Sequence, residues 1–273
     1  IELGPGRGTL LLDILKITEK FNDFNKAINI KLVEKNATLI KVQKKKFNNF
    51  NLNMSNISWS KDLEKNYKTP IIVIANEFFD CFPIQQFYKK NNKWLEKMVD
   101  INLSANSVKF IDKPITKKDQ LIKIEQYKPN EVLEFSNSRE KYFNKICKHI
   151  STFGGKIIIV DYGYYERPNY FTLQSVYNNR KANIFDNIGL QDITSLVDFK
   201  KLIEIAEINK LKIENFLTQR EFFLRYGIKE RFKILIEKLT KDQKKIIETG
   251  MDRIINKDKM GNLFKILIVC KQL

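Results

Sequence analysis

An α/β fold with a mostly parallel sheet and helices on both faces is predicted by three observations. Short β-branched runs alternate along the chain with stretches of helical periodicity. Ile71-Ile72-Val73-Ile74-Ala75 is a continuous apolar run, as expected of a central parallel strand covered on both faces. Glycines at alternate positions, Gly4, Gly6 and Gly8, stand between an apolar start and a helical run, where a strand turns tightly into a helix.

The elements follow in order. Residues 1–3 read as the tail of a first strand, so the sheet is expected to be N-terminally incomplete. Thr9 to about Lys20 places Leu11, Leu12 and Leu15 near helical spacing, with Thr9 as the cap. Residues 28–33 alternate and end at Glu34, which predicts a strand; residues 37–46 predict a helix and 57–59 a short strand. Residues 84–88 and 94–101, joined through Asn91-Asn92, predict a β-hairpin, because asparagine tolerates the left-handed backbone of such turns. Residues 103–137 are irregular and polar. A helix is expected over 139–150, a buried strand over 156–161, loops over 162–192, a helix over 197–210, a strand over 213–217, helices within 219–256 and a final strand over 263–270. The whole is expected as one domain, residues 1–273, with a hairpin and loop insertion at about 84–137 and a helical insertion at about 219–258.

Composition narrows the classes. The chain carries 49 Lys and Arg against 32 Asp and Glu, a net charge of +17. The lysines are scattered through an asparagine- and isoleucine-rich sequence, the bias of A/T-rich coding, so no nucleic-acid partner is expected; Lys44-Lys45-Lys46 reads as a solvated helix end. A nucleic-acid methyltransferase would carry a base-gripping motif after the fourth strand, and none follows it. No apolar run approaches the ~20 residues of a membrane span, and no leader is visible. Cys81, Cys147 and Cys270 lie too far apart for a metal motif and read as reduced intracellular thiols. A single histidine, His149, builds no histidine metal site, and no metal is expected.

The chemistry sits at predicted strand ends. Gly4-Pro5-Gly6-Arg7-Gly8-Thr9 lacks the third glycine of a dinucleotide loop, whose place Thr9 takes, and lacks the Lys-Ser/Thr of a P-loop. What remains is the glycine loop of S-adenosyl-L-methionine enzymes or an ordinary strand–helix turn. Glu34 follows Gly8 by 26 residues at the end of the second strand, where a carboxylate can accept both ribose hydroxyls. The fourth strand ends in Asn76-Glu77-Phe78-Phe79-Asp80: acids three apart that can hold a cation, around aromatics that can exclude water. Asp161-Tyr162-Gly163 ends the fifth strand at the same edge, as a site rim or as a turn with Gly163 at positive φ.

These blocks, in this order, resemble the MidA-like family, which includes the mitochondrial complex I assembly factor of methyltransferase fold. The resemblance runs through residues 2–10, Val33-Glu34, residues 75–80 with Pro83, residues 94–99, 161–164, Thr172-Leu173-Gln174, residues 192–194 and 197–199, Thr218-Gln219, Gly227-Ile228 and Met260-Gly261-Asn262-Leu263-Phe264-Lys265. It departs from the family at Lys35-Asn36, Tyr177, Asn179 and Leu196. The resemblance implies a class I, Rossmann-like methyltransferase sheet with an antiparallel last strand. It implies an S-adenosyl-L-methionine-dependent enzyme acting on a protein arginine, in an NADH dehydrogenase core subunit, during complex I assembly. It further implies a cofactor held by Glu2, Gly4, Gly6, Gly8, Glu34 and Asn76, catalytic acids Glu77 and Asp80, and a substrate met by Phe78, Asp161 and Tyr162. The compartment implied is the bacterial cytoplasm, or the mitochondrial matrix in a eukaryote. The competing reading is a degenerate or split-gene product that keeps the scaffold and binds a partner.

Overall fold

The computed structural model describes residues 1–50, 56–64, 68–104, 107–116, 124–128, 131–178, 180–237 and 239–272; Asn179 lies outside them. The strands in chain order are β1 (Glu2–Leu3), β2 (Ile30–Val33), β3 (Ile57–Ser60), β4 (Ile71–Asn76), β5 (Gln85–Lys90), β6 (Lys93–Asn102), β7 (Ser107–Pro114), β8 (Leu133–Phe135), β9 (Gly155–Tyr164), β10 (Gln174–Tyr177), β11 (Arg180–Ala182), β12 (Asp192–Thr194), β13 (Val197–Asp198), β14 (Leu211–Thr218) and β15 (Phe264–Lys271). The helices are α1 (Thr9–Thr18), α2 (Asn22–Ala27), α3 (Ala37–Asn49), α4 (Asn137–Phe153), α5 (Phe199–Ile208), α6 (Gln219–Arg225), α7 (Ile228–Ile236), α8 (Lys241–Ile255) and α9 (Met260–Leu263).

The chain divides into two compact units. The first comprises Ile1–Phe79, Asn144–Asp161 and Ile203–Leu273. Its sheet runs in the order β14-β15-β9-β4-β1-β2-β3. The pairs β3–β2, β2–β1, β1–β4 and β4–β9 are parallel, and the last strand, β15, lies antiparallel to β14. Strand order therefore reverses at β1, with β2 on one side and β4 on the other. In open parallel sheets that reversal leaves a crevice beyond the carboxyl ends of the strands, where ligands bind.

β1 fills the central position with only two paired residues, Glu2 opposite Ile74 and Leu3 opposite Ala75. Ile71, Val73 and Ala75 are buried, but Ile72, beyond the paired residues of β1, is 56% exposed. Beside β1, an apolar cluster of Leu11, Leu12, Ile30, Leu32, Phe47 and Ile57 joins α1 and α3 to β2 and β3.

Several elements differ from the sequence reading, each for a local reason. α1 is capped by Gly8 in left-handed conformation, and Thr9 is its first helical residue; Lys46 Nζ donates to Thr9 Oγ1, which occupies the expected capping hydroxyl. Residues 22–27 form α2, a single short helix with no buried face and so no apolar period to read. α3 runs to Asn49, with Asn36 as its cap.

The second unit comprises Asp80–Phe143 and Tyr162–Leu202. Its sheet is ordered β7-β6-β5-β8 over a cluster of Phe87, Trp94, Ile124 and Leu133. The β5–β6 hairpin forms as predicted, with Asn91 at φ 49° and Asn92 at φ 63°. β7 and β8 fall where no regular element was expected, since the outer face of β7 is polar and exposed. The region read as loops contains β10 and β11, which with β12 form a small antiparallel sheet. Gly163 is not at a turn: it lies in β9 opposite Val197, and a Cβ there would stand 2.4 Å from Val197 O and 2.5 Å from the Phe199 ring.

Candidate active site at the carboxyl edge of the parallel sheet

Three of the parallel strands, β1, β2 and β4, are pinned at their carboxyl ends by the residue that follows. Gly4 N–H donates to Val33 O, Glu34 N–H to Ser60 O and Glu77 N–H to Val160 O. The glycine loop, Glu34 and Glu77 therefore leave the sheet at one edge, on either side of the reversal at β1.

The glycine loop is built for close approach. Gly4, Gly6 and Gly8 have φ of 59°, 53° and 69°, all in the left-handed region. Gly8 N–H donates to Pro5 O at 2.7 Å, closing the turn into α1. A Cβ at Gly8 would lie 2.8 Å from Phe47 Cζ, whereas at Gly6 it would meet nothing within 4 Å. Gly8 is thus glycine because of packing from below, while Gly6 opens onto space.

Glu2 precedes this loop and is 6% exposed, with Oε2 buried and lacking a hydrogen-bond partner. Burial pushes its carboxyl up to about 7. A buried carboxylate without a partner is costly, and a ligand bringing a cation satisfies it. S-adenosyl-L-methionine carries an ammonium and a sulfonium, so the orphaned oxygen of Glu2 and the open face of Gly6 fit that cofactor.

Glu34 is half-buried, and its Oε1 accepts Asn36 N–H at 2.8 Å, which fixes the rotation of the carboxylate. Asn36 Oδ1 in turn accepts from Thr38 and Leu39 N–H and starts α3. Two residues that sequence reasoning missed belong here. Asn36 was noted only as a departure from the family, although Asn before a helical run is a capping signal. Gln43, fully buried, donates from Nε2 to Gly6 O at 2.7 Å and accepts at Oε1 from Trp59 Nε1 at 2.8 Å. Its only sequence signal is a polar residue four before Phe47 on the inward stripe of α3.

At the end of β4, Asn76 and the following Glu77 are exposed, and Asn76 Nδ2 lies 3.5 Å from Glu77 Oε1. Glu77 has φ 48°, a left-handed conformation uncommon for glutamate and costly without compensation. The turn throws its side chain off the strand end. The Phe78 ring closes over Gly4, with Cδ2 3.0 Å from where a Gly4 Cβ would be, and stacks edge-on against Phe79 at 5.3 Å. Phe78 thus walls the glycine loop.

Asp161 was expected to meet substrate. It is fully buried, and its Oδ2 accepts Phe79 N–H at 2.9 Å. Through that bond it holds the backbone of the turn that follows Glu77 and Phe78. The first unit therefore brings together Glu2, Gly4, Gly6, Gly8, Glu34, Asn76, Glu77, Phe78 and Asp161. Asp80 and Tyr162 belong to the second unit. There Asp80 is 5% exposed, its carbonyl accepts Ser195 N–H at 3.0 Å, and Ser195 Oγ accepts Arg139 Nη2 at 2.8 Å. Tyr162 is half-buried. Among the described residues no cluster of His, Cys, Asp and Glu is arranged to hold a metal ion, and no helix is long and apolar enough to cross a membrane.

The chain is 30% identical over 276 residues to the mitochondrial protein arginine methyltransferase NDUFAF7 homologue of Caenorhabditis elegans, covering 91% of this chain and 62% of that protein. It is 28% identical over 285 residues to the mitochondrial protein arginine methyltransferase NDUFAF7 of Mus musculus, covering 97% and 65%. The chain thus spans less than two thirds of the length of these two relatives. Two crystal structures of proteins of one superfamily from Burkholderia thailandensis share its fold, with TM-scores of 0.84 and 0.83 at 21% identity over 99% of this chain and 73% and 70% of theirs; the second is bound to S-adenosyl-homocysteine. Residues 1–217 match a family described as S-adenosyl-L-methionine-dependent methyltransferases, and the chain belongs to that family.

Proposed function

We propose that this chain transfers a methyl group from S-adenosyl-L-methionine to an arginine side chain of a protein, and that the protein is a core subunit of NADH dehydrogenase methylated during complex I assembly. The observation that carries the reading is Glu77, an exposed acid held in a left-handed backbone beside the glycine loop wall. The names of the relatives support the arginine, and the family resemblance supports the complex I subunit. The reaction belongs to the bacterial cytoplasm or the mitochondrial matrix.

The cofactor supplies an already activated methyl group, so the protein's work is to position and to stabilise charge. Glu2 meets the cationic end of the cofactor, the glycine loop allows its close approach, and Glu34 accepts its ribose hydroxyls. Phe78 excludes water beside Gly4. Glu77 takes two N–H groups of the guanidinium, a bidentate pairing that suits the planar fork. Drawing positive charge toward those two nitrogens would leave electron density on the third, which would take the methyl group as its bond to sulfur breaks, with S-adenosyl-homocysteine released and the N–H proton of the attacking nitrogen passing to solvent. Asp161, by holding Phe79 N–H, fixes the loop on which Glu77 stands.

The test is Glu77→Gln, assayed by mass spectrometry of the NADH dehydrogenase core subunit after incubation with the enzyme and S-adenosyl-L-methionine. The variant is expected to bind S-adenosyl-homocysteine as the parent does and to lose arginine methylation by about a hundred-fold or more, the scale of removing a charge-stabilising group. Methylation at the parent rate removes Glu77 from the reaction. No methylated arginine with the parent enzyme refutes the substrate.

A further inference from the structure

We infer that Gln43 is a positioning residue for the cofactor loop, acting by holding the Gly6 peptide in the orientation that binding needs; this rests on the cofactor reading above. Gln43 is a fully buried primary amide on α3, one turn before the buried Phe47 and with its Cγ 3.4 Å from where a Gly8 Cβ would be, where an aliphatic side chain would leave no polar group to satisfy. Both ends of the amide are used. Nε2 donates to Gly6 O, and Oε1 accepts from Trp59 Nε1 on β3. The Trp59 bond fixes which end of the amide is which, so the donor faces the loop.

The consequence at the loop is geometric. The Gly6–Arg7 peptide is planar and trans, so its N–H points opposite to its carbonyl. Pulling Gly6 O toward α3 turns Arg7 N–H to the other face of the loop. Gly6 at φ 53° has no side chain to limit its rotation, so the loop alone does not choose this orientation. Lys46 on Thr9 and Phe47 beneath Gly8 brace the next residues from the same helix. Because α3 is capped by Asn36, whose N–H holds Glu34, one helix sets both the ribose acid and the glycine loop.

The experiment measures S-adenosyl-homocysteine affinity by calorimetry for the parent, Gln43→Leu, Gln43→Glu and Trp59→Phe, with thermal unfolding of each. Gln43→Leu is expected to weaken binding about ten-fold, the scale of one lost hydrogen bond, while remaining folded. Gln43→Glu supplies a readout that packing alone would not move. Ionised, it cannot donate to Gly6 O; protonated, it has one donor and one acceptor, like the amide. Its affinity relative to the parent is therefore expected to recover as pH is lowered. Trp59→Phe, which spares the Gly6 bond, keeps the question open to measurement if Gln43→Leu does not fold, and is expected to weaken binding less than either Gln43 variant. Affinity of Gln43→Leu within two-fold of the parent, or a Gln43→Glu to parent ratio that does not change with pH, overturns the inference. Absence of binding by the parent itself refutes the cofactor reading, and this inference with it.

Discussion

Gly6 and Gly8 share a backbone conformation but face different surroundings, and replacing each by alanine separates binding from folding. Both have left-handed φ, 53° and 69°, so a Cβ costs about 1–2 kcal/mol at either site. At Gly6 nothing lies within 4 Å of that Cβ, and the stability cost ends there. At Gly8 the Cβ would stand 2.8 Å from Cζ and 3.1 Å from Cε1 of Phe47. That ring is fully buried and has no room to retreat, so overpacking adds about 1–3 kcal/mol. With ~2–4 °C per kcal/mol for a chain near this size, Gly6→Ala should lower Tm by roughly 2–8 °C and Gly8→Ala by roughly 4–20 °C. Ligand affinity should order them differently. In Gly6→Ala the new methyl enters the space assigned to the cofactor, so a mildly destabilised protein should lose S-adenosyl-homocysteine binding by about ten-fold or more, since even a methyl-sized obstruction is felt in a close-fitting site. The assays are circular-dichroism melting and titration calorimetry. Parent-like affinity in Gly6→Ala would refute the cradle, and a Gly8→Ala no less stable than Gly6→Ala would refute the packing argument.

Two further outcomes follow from buried polar groups in the first unit. Asp161→Ala leaves the buried Phe79 N–H without its acceptor, and stability should fall by about 1–3 kcal/mol with faster hydrogen exchange at Phe79; unchanged exchange there would show the bond to be dispensable. Glu2, raised from 4.5 to about 7 by burial, binds more protons folded than unfolded between those values. Its cost to the unliganded fold is therefore absent below about 4.5, grows as pH rises through about 7 and then levels off, reaching at most ~3 kcal/mol at 1.36 kcal/mol per pH unit. Glu2→Gln should remove that slope, and a stability difference from the parent that is constant between pH 4 and 8 would count against it.

Local sequence by itself determined the parts of this protein whose signals are short-range. Glycines at alternate positions specified a left-handed loop into α1, Asn91-Asn92 specified a hairpin turn, and apolar runs located β4 and β9, because turn chemistry and β-branched periodicity act within a few residues. The same reading put Glu34 and Glu77 at strand ends, where the structure has them. It did not locate β7, β8, β10 and β11: short or solvent-facing strands carry little period of their own and form by pairing with neighbours. Nor did it show that Asp161 holds Phe79 N–H. A carboxylate after a buried strand looks alike in sequence whether it faces a substrate or a backbone N–H eighty-two residues away. Gln43 makes the same point: its spacing from Phe47 marks an inward position and no more, and only the folding of α3 across the glycine loop brings its amide to Gly6 O. Sequence thus wrote the chemistry of each strand end, while tertiary packing decided which polar groups hold the others in place, because those partners are chosen by long-range contact and not by local propensity.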